Sequence, residues 1–345
     1  MAVIVMADDG IRFDGTTPER AALGGAETAF VALAEALARR GHRVEARNNC
    51  LAELDHNGVS WAPLARGLPE RADLYIANRG DRLLTAMRRT ARRTVFWVHN
   101  PARYLLKWRY LWKLWWLEPP VVFLGPHHAA GYPSWAPAGA RVVIPYGIQE
   151  VFRTAAPAEG PPGPRAIFTS SPLRSLDWLM TLWVERIRLA VPDAGLTVFS
   201  GTTPYGGVGE AKAARAAPVL ARARGLADQG VVLRDPLPKA RLVDELRASR
   251  LILYRGDVGE TFCLAVGEAQ AMGVPAVVQA IGATAERVVD GETGFVAPDE
   301  AAFADAAVRL MTDDGLWRRQ HEAALRLQRG RGWDQAAAGF ESLLP

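Results

Sequence analysis

The stretch from Tyr254 to Ala276 contains the residue types and spacing that most directly suggest chemistry. It reads YRGDVGETFCLAVGEAQAMGVPA, which predicts a strand, a polar loop and then a helix beginning near Phe262 or Cys263. Glu260 then lies just before the helix and Glu268 lies within it. A helix start presents free N–H groups and partial positive charge that suit a phosphate, and carboxylates beside it can accept hydrogen bonds from sugar hydroxyls. The alternative is that Glu260 only caps the helix and Glu268 faces solvent.

Strand and helix signals alternate along the rest of the chain, which predicts βα units with parallel sheets. The segment Ala155 to Pro164, AAPAEGPPGP, cannot continue a helix or an interior strand and predicts a linker. We therefore expect an α/β protein with two domains, residues 1–154 and 155–330. In open α/β sheets ligands bind outside the carboxyl ends of the strands, so a cleft between the domains is the expected site.

Composition excludes several classes of protein. The 345 residues are 49% hydrophobic and 23% charged, as in a folded globular protein. No apolar stretch is long enough for a membrane span, and Asp8 and Asp9 are atypical of a signal peptide, so we expect a cytoplasmic protein. Basic residues outnumber acidic ones by only 41 to 37 and are dispersed, which argues against nucleic-acid binding. The two cysteines, Cys50 and Cys263, predict neither a disulfide framework nor a metal site.

Four separate stretches give the chain a family resemblance. Glu260-x7-Glu268, with the downstream GATAERVVDGETGFVAP from Gly282, resembles the donor-binding half of the family-4 retaining glycosyltransferases. GGAETAF from Gly24, VVIPYGI from Val142 and the C-terminal RGWDQAAAGFESLL resemble other parts of that family. The resemblance implies the glycosyltransferase-B fold, in which two Rossmann-like domains face each other across a cleft. It also implies that the final helix, residues 331–345, packs back on the first domain.

The resemblance implies roles for matching residues. Glu260 would contact donor-sugar hydroxyls, Glu268 would hold the ribose, and Arg174 would bind the pyrophosphate, a role that suits a forked guanidinium. Further donor contacts are expected at Gly24, Gly25, Ser170, Ser171 and the backbone N–H groups of Thr261, Phe262 and Cys263. Two departures from the family pattern stand out: Ser170 and Ser171 occupy positions where a second basic phosphate contact is common, and Thr261 and Cys263 replace glycines.

His99 follows the predicted strand Thr94 to Val98 and precedes Asn100-Pro101. It is therefore expected to project from the carboxyl end of that strand. By resemblance it is the active-site histidine that hydrogen-bonds the donor sugar, whereas the residues alone favour a histidine bonded to nearby backbone. His127 and His128 follow the next strand, but adjacent side chains point apart, and no third ligand suggests a metal.

The segment from Arg103 to Leu117, RYLLKWRYLWKLWWL, predicts an amphipathic helix. One arc of the helix contains the aromatic and apolar residues Tyr104, Leu105, Trp108, Leu111, Trp112, Trp115 and Trp116. The opposite arc of the helix contains Arg103, Lys107, Arg109 and Lys113. Such a helix suits a membrane interface, where rings lie at headgroup depth and cations meet anionic lipid. The alternatives are packing in the domain core and a platform for a sugar acceptor. The residues assigned to acceptor or membrane contact are Lys107, Trp108, Trp112, Lys113, Trp115 and Trp116.

The resemblance therefore implies a retaining, metal-independent glycosyltransferase, and no cofactor is expected. The donor is a nucleotide-diphosphate sugar, with UDP favoured over GDP, and the acceptor is a glycan, a lipid-linked sugar or another hydroxyl compound. The expected setting is bacterial surface polysaccharide or glycoconjugate synthesis, with possible peripheral contact at the inner face of the membrane. The alternatives are a nucleotide-sugar epimerase of similar fold and a non-catalytic sugar-binding protein.

Overall fold

A computed structural model describes residues 1–201 and 210–345, which form two compact units. The first unit comprises Met1–Gly147 together with Gly332–Pro345, and the second comprises Ile148–Arg331. Each unit contains a sheet of largely parallel strands with helices in the connections. The observed architecture is the α/β class that the alternating pattern predicts.

The first unit contains an eight-stranded sheet in the order β3-β4-β2-β1-β5-β6-β7-β8. Its strands are β1 (Val3–Asp8), β2 (Arg43–Asn48), β3 (Leu54–His56), β4 (Val59–Pro63), β5 (Ala72–Asn78), β6 (Ala91–Trp97), β7 (Pro120–Phe123) and β8 (Ala140–Val143). Its helices are α1 (Thr17–Arg20), α2 (Gly25–Arg39), α3 (Trp108–Leu117), α4 (Pro126–Ala130) and the C-terminal α13 (Trp333–Glu341). Helix α13 packs against α2, and Glu341 accepts hydrogen bonds from Arg40.

One pair of strands departs from the parallel pattern. β3 and β4 are antiparallel and are joined by Asn57 and Gly58, whose φ angles are 49° and 79°. Two consecutive positive φ angles are those of a type I′ hairpin turn, for which Asn-Gly is the preferred sequence. The parallel arrangement that the sequence predicts holds for the other strand pairs of this sheet, and this hairpin is the antiparallel pair at its edge.

The second unit contains a six-stranded parallel sheet in the order β11-β10-β9-β12-β13-β14. Its strands are β9 (Arg165–Phe168), β10 (Gly195–Phe199), β11 (Val231–Arg234), β12 (Leu251–Tyr254), β13 (Ala276–Val278) and β14 (Gly294–Val296). Its helices are α5 (Glu150–Thr154), α6 (Leu176–Leu182), α7 (Arg188–Ala190), α8 (Glu210–Gly225), α9 (Lys239–Arg247), α10 (Leu264–Ala271), α11 (Glu300–Thr312) and α12 (Asp314–Gln328). A π-helical turn, Trp183–Ile187, connects α6 to α7.

The N-terminal segment of the first unit ends at Gly147, before the predicted linker at Ala155–Pro164. That segment belongs to the second unit, where arginine side chains bind its backbone. Arg329 donates to the carbonyl of Ala155, Arg247 to that of Ala156 and Arg250 to that of Pro162, at 2.8 to 3.0 Å. Its carbonyls can be bound in this way because the proline-rich chain has few internal backbone bonds.

Candidate active site

The second sheet has a topological switch point between β9 and β12. From β9 the chain adds β10 and β11 on one side, whereas β12, β13 and β14 lie on the other. The loops that follow β9 and β12 therefore leave the same edge of the sheet in opposite directions, which is where open α/β sheets bind ligands. The loop after β9 contains Ser170, Ser171 and Arg174, and the loop after β12 contains Glu260.

Arg174 and Glu260, two predicted site residues 86 positions apart, form an ion pair at this switch point. The same carboxylate oxygen, Oε2 of Glu260, accepts a 2.7 Å hydrogen bond from the hydroxyl of Tyr254. Burial, reinforced by the neighbouring Glu260 carboxylate, raises the pKa of Tyr254 well above its usual value. Tyr254 thus stays protonated and serves as a fixed donor to Glu260.

The other oxygen of Glu260 binds the start of helix α10. Oε1 accepts a 3.1 Å hydrogen bond from the backbone N–H of Cys263, which precedes the helix. Glu260 therefore caps the start of α10, as the alternative interpretation expects, and it also forms the ion pair with Arg174. Donor contacts are expected at the backbone N–H groups of Thr261, Phe262 and Cys263. The N–H group of Cys263 is hydrogen-bonded to Glu260 in this structure. The Phe262 ring is buried and lies 4.2 Å from the guanidinium of Arg287.

Two backbone features hold this loop in place. Gly282 has a φ of 65°, and a Cβ there would lie 2.3 Å from the carbonyl oxygen of Asp257. Cys263 has a φ of 69°, in the left-handed region that favours glycine. The glycine usual at this position in the resembled family thus has a conformational reason, and this chain adopts the same conformation with a cysteine.

Glu268 is buried, with 2% of its surface exposed, so the alternative of a solvent-facing carboxylate is wrong. Lys239, the first residue of α9, donates to Oε2 of Glu268 at 2.7 Å. The other oxygen, Oε1, is buried and has no hydrogen-bond partner among the described residues. Burial raises the pKa of Glu268, whereas Lys239 acts in the opposite direction. An unsatisfied buried carboxylate oxygen is costly, and it is an acceptor available to a ligand hydroxyl.

Ser170 and Ser171 shape the loop that carries Arg174. The carbonyl of Ser170 accepts a 2.7 Å hydrogen bond from the hydroxyl of Ser200. The carbonyl of Ser171 accepts from the backbone N–H of Arg174 at 3.0 Å. Both serines therefore contribute backbone acceptors that fix the turn before α6, and Ser171 also lines a pocket with Arg174.

His99 lies in the first unit, two residues after the end of β6, and is 8% exposed. Its Nε2 bonds Oδ1 of Asn78, and its Nδ1 bonds the hydroxyl of Tyr146. Because the Asn78 amide donates to Asp8, its oxygen faces the histidine, which places the proton on Nε2. Burial lowers the pKa of His99 well below its usual value, and Arg79 acts in the same direction. A sugar hydroxyl at His99 therefore has to replace one of these two bonds.

An ionic cluster that sequence reasoning missed lies at the switch point of the first sheet, between β1 and β5. Arg79 donates to both oxygens of Asp8 at 2.9 Å and pairs with Glu27 at 2.8 Å. Asp8 and Asn78 are register partners at the ends of these strands. Gly24 is buried before α2 and accepts from Thr28, whereas Gly25 is exposed at the first position of the helix. The glycine loop thus begins helix α2 at a point that brings Glu27, in its first turn, into contact with Arg79.

The Trp-rich segment forms a five-residue 3₁₀ turn, Ala102–Leu106, and then α3. Its inner face is made by Leu105, Tyr110 and Leu114, which belong to the buried core of the first unit. The indoles of Trp108, Trp112, Trp115, Trp116 and the neighbouring Trp135 are 38% to 77% exposed. Packing of the tryptophans in the core is therefore excluded.

Lys113 does not lie on an exposed basic arc as expected. It is buried on the inner side of α3, where Nζ donates to the carboxylate and the carbonyl of Asp81, both at 2.8 Å. Lys107 is exposed, and its Nζ lies 3.6 Å from the centre of the Tyr104 ring. Residue spacing alone could not distinguish these positions, because the partner of Lys113 is on a different segment.

No cluster of three or more metal-ligating side chains exists among residues 1–201 and 210–345. His128 uses both ring nitrogens locally, accepting from the N–H of Leu124 and bonding the carbonyl of Asn100. In the same part of the chain, no helix is long and apolar enough to cross a membrane.

Residues 166–313, which make up most of the second unit, match the family model described as glycosyl transferases group 1. The resemblance of the donor-binding half to glycosyltransferases is thereby confirmed. Over the whole chain the fold is the glycosyltransferase-B fold. Sucrose-phosphate synthase from Thermosynechococcus elongatus aligns with a TM-score of 0.76 and 19% identity over 99% of this chain and 98% of the other. HepE of Anabaena, solved in complex with UDP-glucose, aligns with a TM-score of 0.70 and 15% identity over 100% of both chains.

Sequence relatives cover a smaller part of the chain. D-inositol 3-phosphate glycosyltransferase of Xylanimonas cellulosilytica is 35% identical over 137 residues, which are 39% of this chain and 32% of the relative. The protein of the same name from Streptomyces coelicolor is 34% identical over 155 residues, 44% of this chain and 32% of the relative. The aligned region thus spans about a third of the length of these relatives.

Proposed function

We propose that this protein is a glycosyltransferase that moves a sugar from a nucleotide-diphosphate sugar to a hydroxyl acceptor. The observation that carries the proposal is the arrangement around α10. Glu260, ion-paired with Arg174, lies just before the helix, and one oxygen of the buried Glu268 within it has no hydrogen-bond partner in the part of the chain that the structure describes. A guanidinium suits a diphosphate, and carboxylates suit the hydroxyls of the sugar and the ribose.

The proposed chemistry is electrostatic. Departure of the nucleoside diphosphate develops negative charge, which Arg174 stabilises from a position fixed by Glu260 and by the turn at Ser171. Glu260 and His99 position the donor sugar, and neither is assigned covalent attack. Because protein cations supply the positive charge, we propose a reaction that needs no metal. The family resemblance of the Glu260-x7-Glu268 block further favours retention of the anomeric configuration. Activity undiminished by EDTA, with retained anomeric configuration by proton NMR, is the expected result.

UDP is the favoured nucleotide. The protein from Anabaena was solved with UDP-glucose, and the pneumococcal O-GlcNAc transferase GtfA was solved with UDP and GlcNAc. Both proteins share the fold of this chain at low identity, so the choice of UDP over GDP is a proposal for direct test. Thermal-shift screening of UDP-, GDP- and ADP-sugars should give one stabilising donor, because a ligand that binds only the folded state raises its stability.

Three outcomes separate the candidate functions. Transfer to a glycan or lipid-linked acceptor supports the glycosyltransferase. Conversion of the nucleotide sugar without an acceptor supports the epimerase. Binding of free sugar without any nucleotide-sugar binding supports the non-catalytic sugar-binding protein and contradicts the proposal.

We further propose that the five exposed indoles, with Leu111 and Pro137, form a surface that contacts the membrane or its lipid-linked acceptor. This Trp surface surrounds a shallow apolar depression of about 650 Å³. Arg88 lies 4.1 Å from the Trp116 ring, and exposed Lys107 and Arg109 lie nearby on the same segment. Rings flanked by cations suit an anionic lipid interface, and such a surface fits a role at the inner face of a bacterial membrane.

Co-sedimentation with vesicles tests this surface. The wild type should bind vesicles of anionic lipid, and the Trp108→Ala, Trp112→Ala, Trp116→Ala triple variant should bind them much less. Leu189→Ala provides a matched control, because Leu189 is a similarly exposed apolar residue of the second unit. Equal partitioning of the wild type and the triple variant would contradict membrane contact.

A further inference from the structure

The Arg174 loop faces a pocket of about 260 Å³ that lies wholly within the second unit. The loop after β9 contributes Ser171 and Arg174, helix α8 contributes Lys212 and Arg215, and the loop after β12 contributes Asp257. Neither Lys212 nor Arg215 matches a site residue that the family resemblance implies. Among the described residues that line the pocket, three of the four charged side chains are therefore cationic.

Lys212 and Arg215 are three positions apart in α8, so both lie on one face of the helix. Ala213 and Ala216 complete the helix's contribution to the pocket. Their small side chains leave room for long cationic chains to extend over the opening. Arg215 is exposed and forms no ion pair with any residue of the described ranges.

The charge balance of the pocket explains why further cations are needed. The charge of Arg174 is offset by its ion pair with Glu260, and Asp257 adds negative charge to the pocket. A nucleoside diphosphate carries more than one negative charge, so this pair alone leaves it poorly neutralised. Ser170 and Ser171 are neutral and are engaged in the turn. Lys212 and Arg215 of α8 make the net charge of the described pocket lining positive.

We propose that Lys212 and Arg215 bind the terminal phosphate of the nucleoside diphosphate, the phosphate that bears the sugar in the donor. This inference rests on the proposed function and adds two donor-binding residues to it. The α8 cations and Arg174 then approach the phosphate from different elements, α8 and the loop after β9. Forked guanidinium contacts and an ammonium point charge together suit a phosphate with several acceptor oxygens.

Calorimetry with UDP, UMP and uridine tests the assignment. Lys212→Gln and Arg215→Gln should each weaken UDP binding about tenfold, the scale of one charge-assisted hydrogen bond, and UMP binding should change far less. Both side chains are exposed, so the substitutions should leave the unfolding temperature unchanged. Arg224→Gln is the matched control, because Arg224 is an exposed cation of the same helix away from the pocket.

The outcomes separate this inference from the proposed function. If the wild type binds none of UDP, GDP and ADP, the proposed function fails and this inference fails with it. If the wild type binds UDP and both variants bind it equally well, only this inference is overturned. Equal losses for UDP and UMP would also overturn it, as would an equal loss in Arg224→Gln, because such losses reflect general charge and not a contact with the terminal phosphate.

Discussion

The guanidinium of Arg174 and the carboxylate of Glu260 form an ion pair that joins the loops after β9 and β12. These two strands are neighbours in the second sheet although four α-helices and two strands of the described residues lie between them along the chain. The pair therefore fixes the geometry of the switch point before any ligand is bound. A cation placed in advance stabilises developing charge without the cost of reorganisation.

Arg174→Ala should weaken donor binding or turnover by about 1.5 to 3 kcal/mol, the scale of a hydrogen bond to a charged group. The loss should appear in kcat/KM with the preferred nucleotide sugar. Arg174→Lys keeps the charge and removes the fork, so it should recover part of the activity. Unchanged kinetics in Arg174→Ala would reject the role.

Glu260→Gln should impair transfer more than binding of free UDP. The amide keeps the size of the side chain and can still accept from Cys263, but it weakens the ion pair that orients Arg174. Paired measurements of kcat and of UDP affinity by calorimetry separate the two effects. A loss of UDP affinity as large as the loss of kcat would contradict a role in positioning the sugar.

The sequence predicted the elements of this site better than its contacts. The Glu-x7-Glu spacing placed Glu260 before α10 and Glu268 within it, because helix periodicity and the strand–loop–helix order are local properties. The Glu-x7-Glu spacing did not reveal that Tyr254 donates a hydrogen bond to Glu260, or that Lys239 forms an ion pair with Glu268. Lys239 and Glu268 are 29 residues apart and meet only through packing of the second unit.

Lys239→Met should destabilise the protein by about 3 kcal/mol at pH 7, because it leaves the buried Glu268 carboxylate without its cation. The raised pKa of Glu268 fixes the sign of the pH effect. The folded state binds the proton more tightly than the unfolded state, so stability falls as pH rises above the usual glutamate value. The variant should therefore lose less stability at pH 5 than at pH 7, as measured by urea unfolding.

The Lys239→Met, Glu268→Gln double variant is the control for this interpretation. It removes both charges and should recover much of the stability lost in Lys239→Met. Nucleotide binding should remain impaired in Glu268→Gln alone, because an amide replaces a carboxylate acceptor proposed for the ribose. Failure of the double variant to recover stability would show that the lysine contributes through packing.

Cys263→Gly should be more stable than Cys263→Ala by about 1 kcal/mol. Both changes remove the buried thiol, but only alanine retains a side chain in the left-handed region, where a Cβ costs about 1 to 2 kcal/mol. Thermal unfolding of the two variants gives the comparison. Ala265→Gly, within α10, is the matched control and should be destabilising by about 0.5 to 1 kcal/mol, as is usual for glycine inside a helix.

The Trp-rich helix shows where an amphipathic pattern alone is insufficient. The pattern grouped the four tryptophans of α3 correctly, but it did not determine which face of the helix is buried. Packing decides this, because Tyr110 and Leu114 complete the core of the first unit and Lys113 reaches Asp81 from the buried side. Trp135 joins the Trp surface from a separate loop, so no helical spacing could have identified it.

Acid should destabilise the first unit through its buried histidines. Burial lowers the pKa of His128 to about 4 against a usual value of 6.5, so only the unfolded state gains a proton between these values. The contribution of His128 to stability is therefore complete above pH 6.5 and falls as pH decreases toward 4.

His128→Gln retains a donor and an acceptor but does not titrate, so it should lose about 2 kcal/mol less stability than wild type between pH 7 and pH 5. Urea unfolding at both values measures the difference. If His128→Gln kept the wild-type pH dependence, the acid sensitivity would have to come from other groups, such as His99.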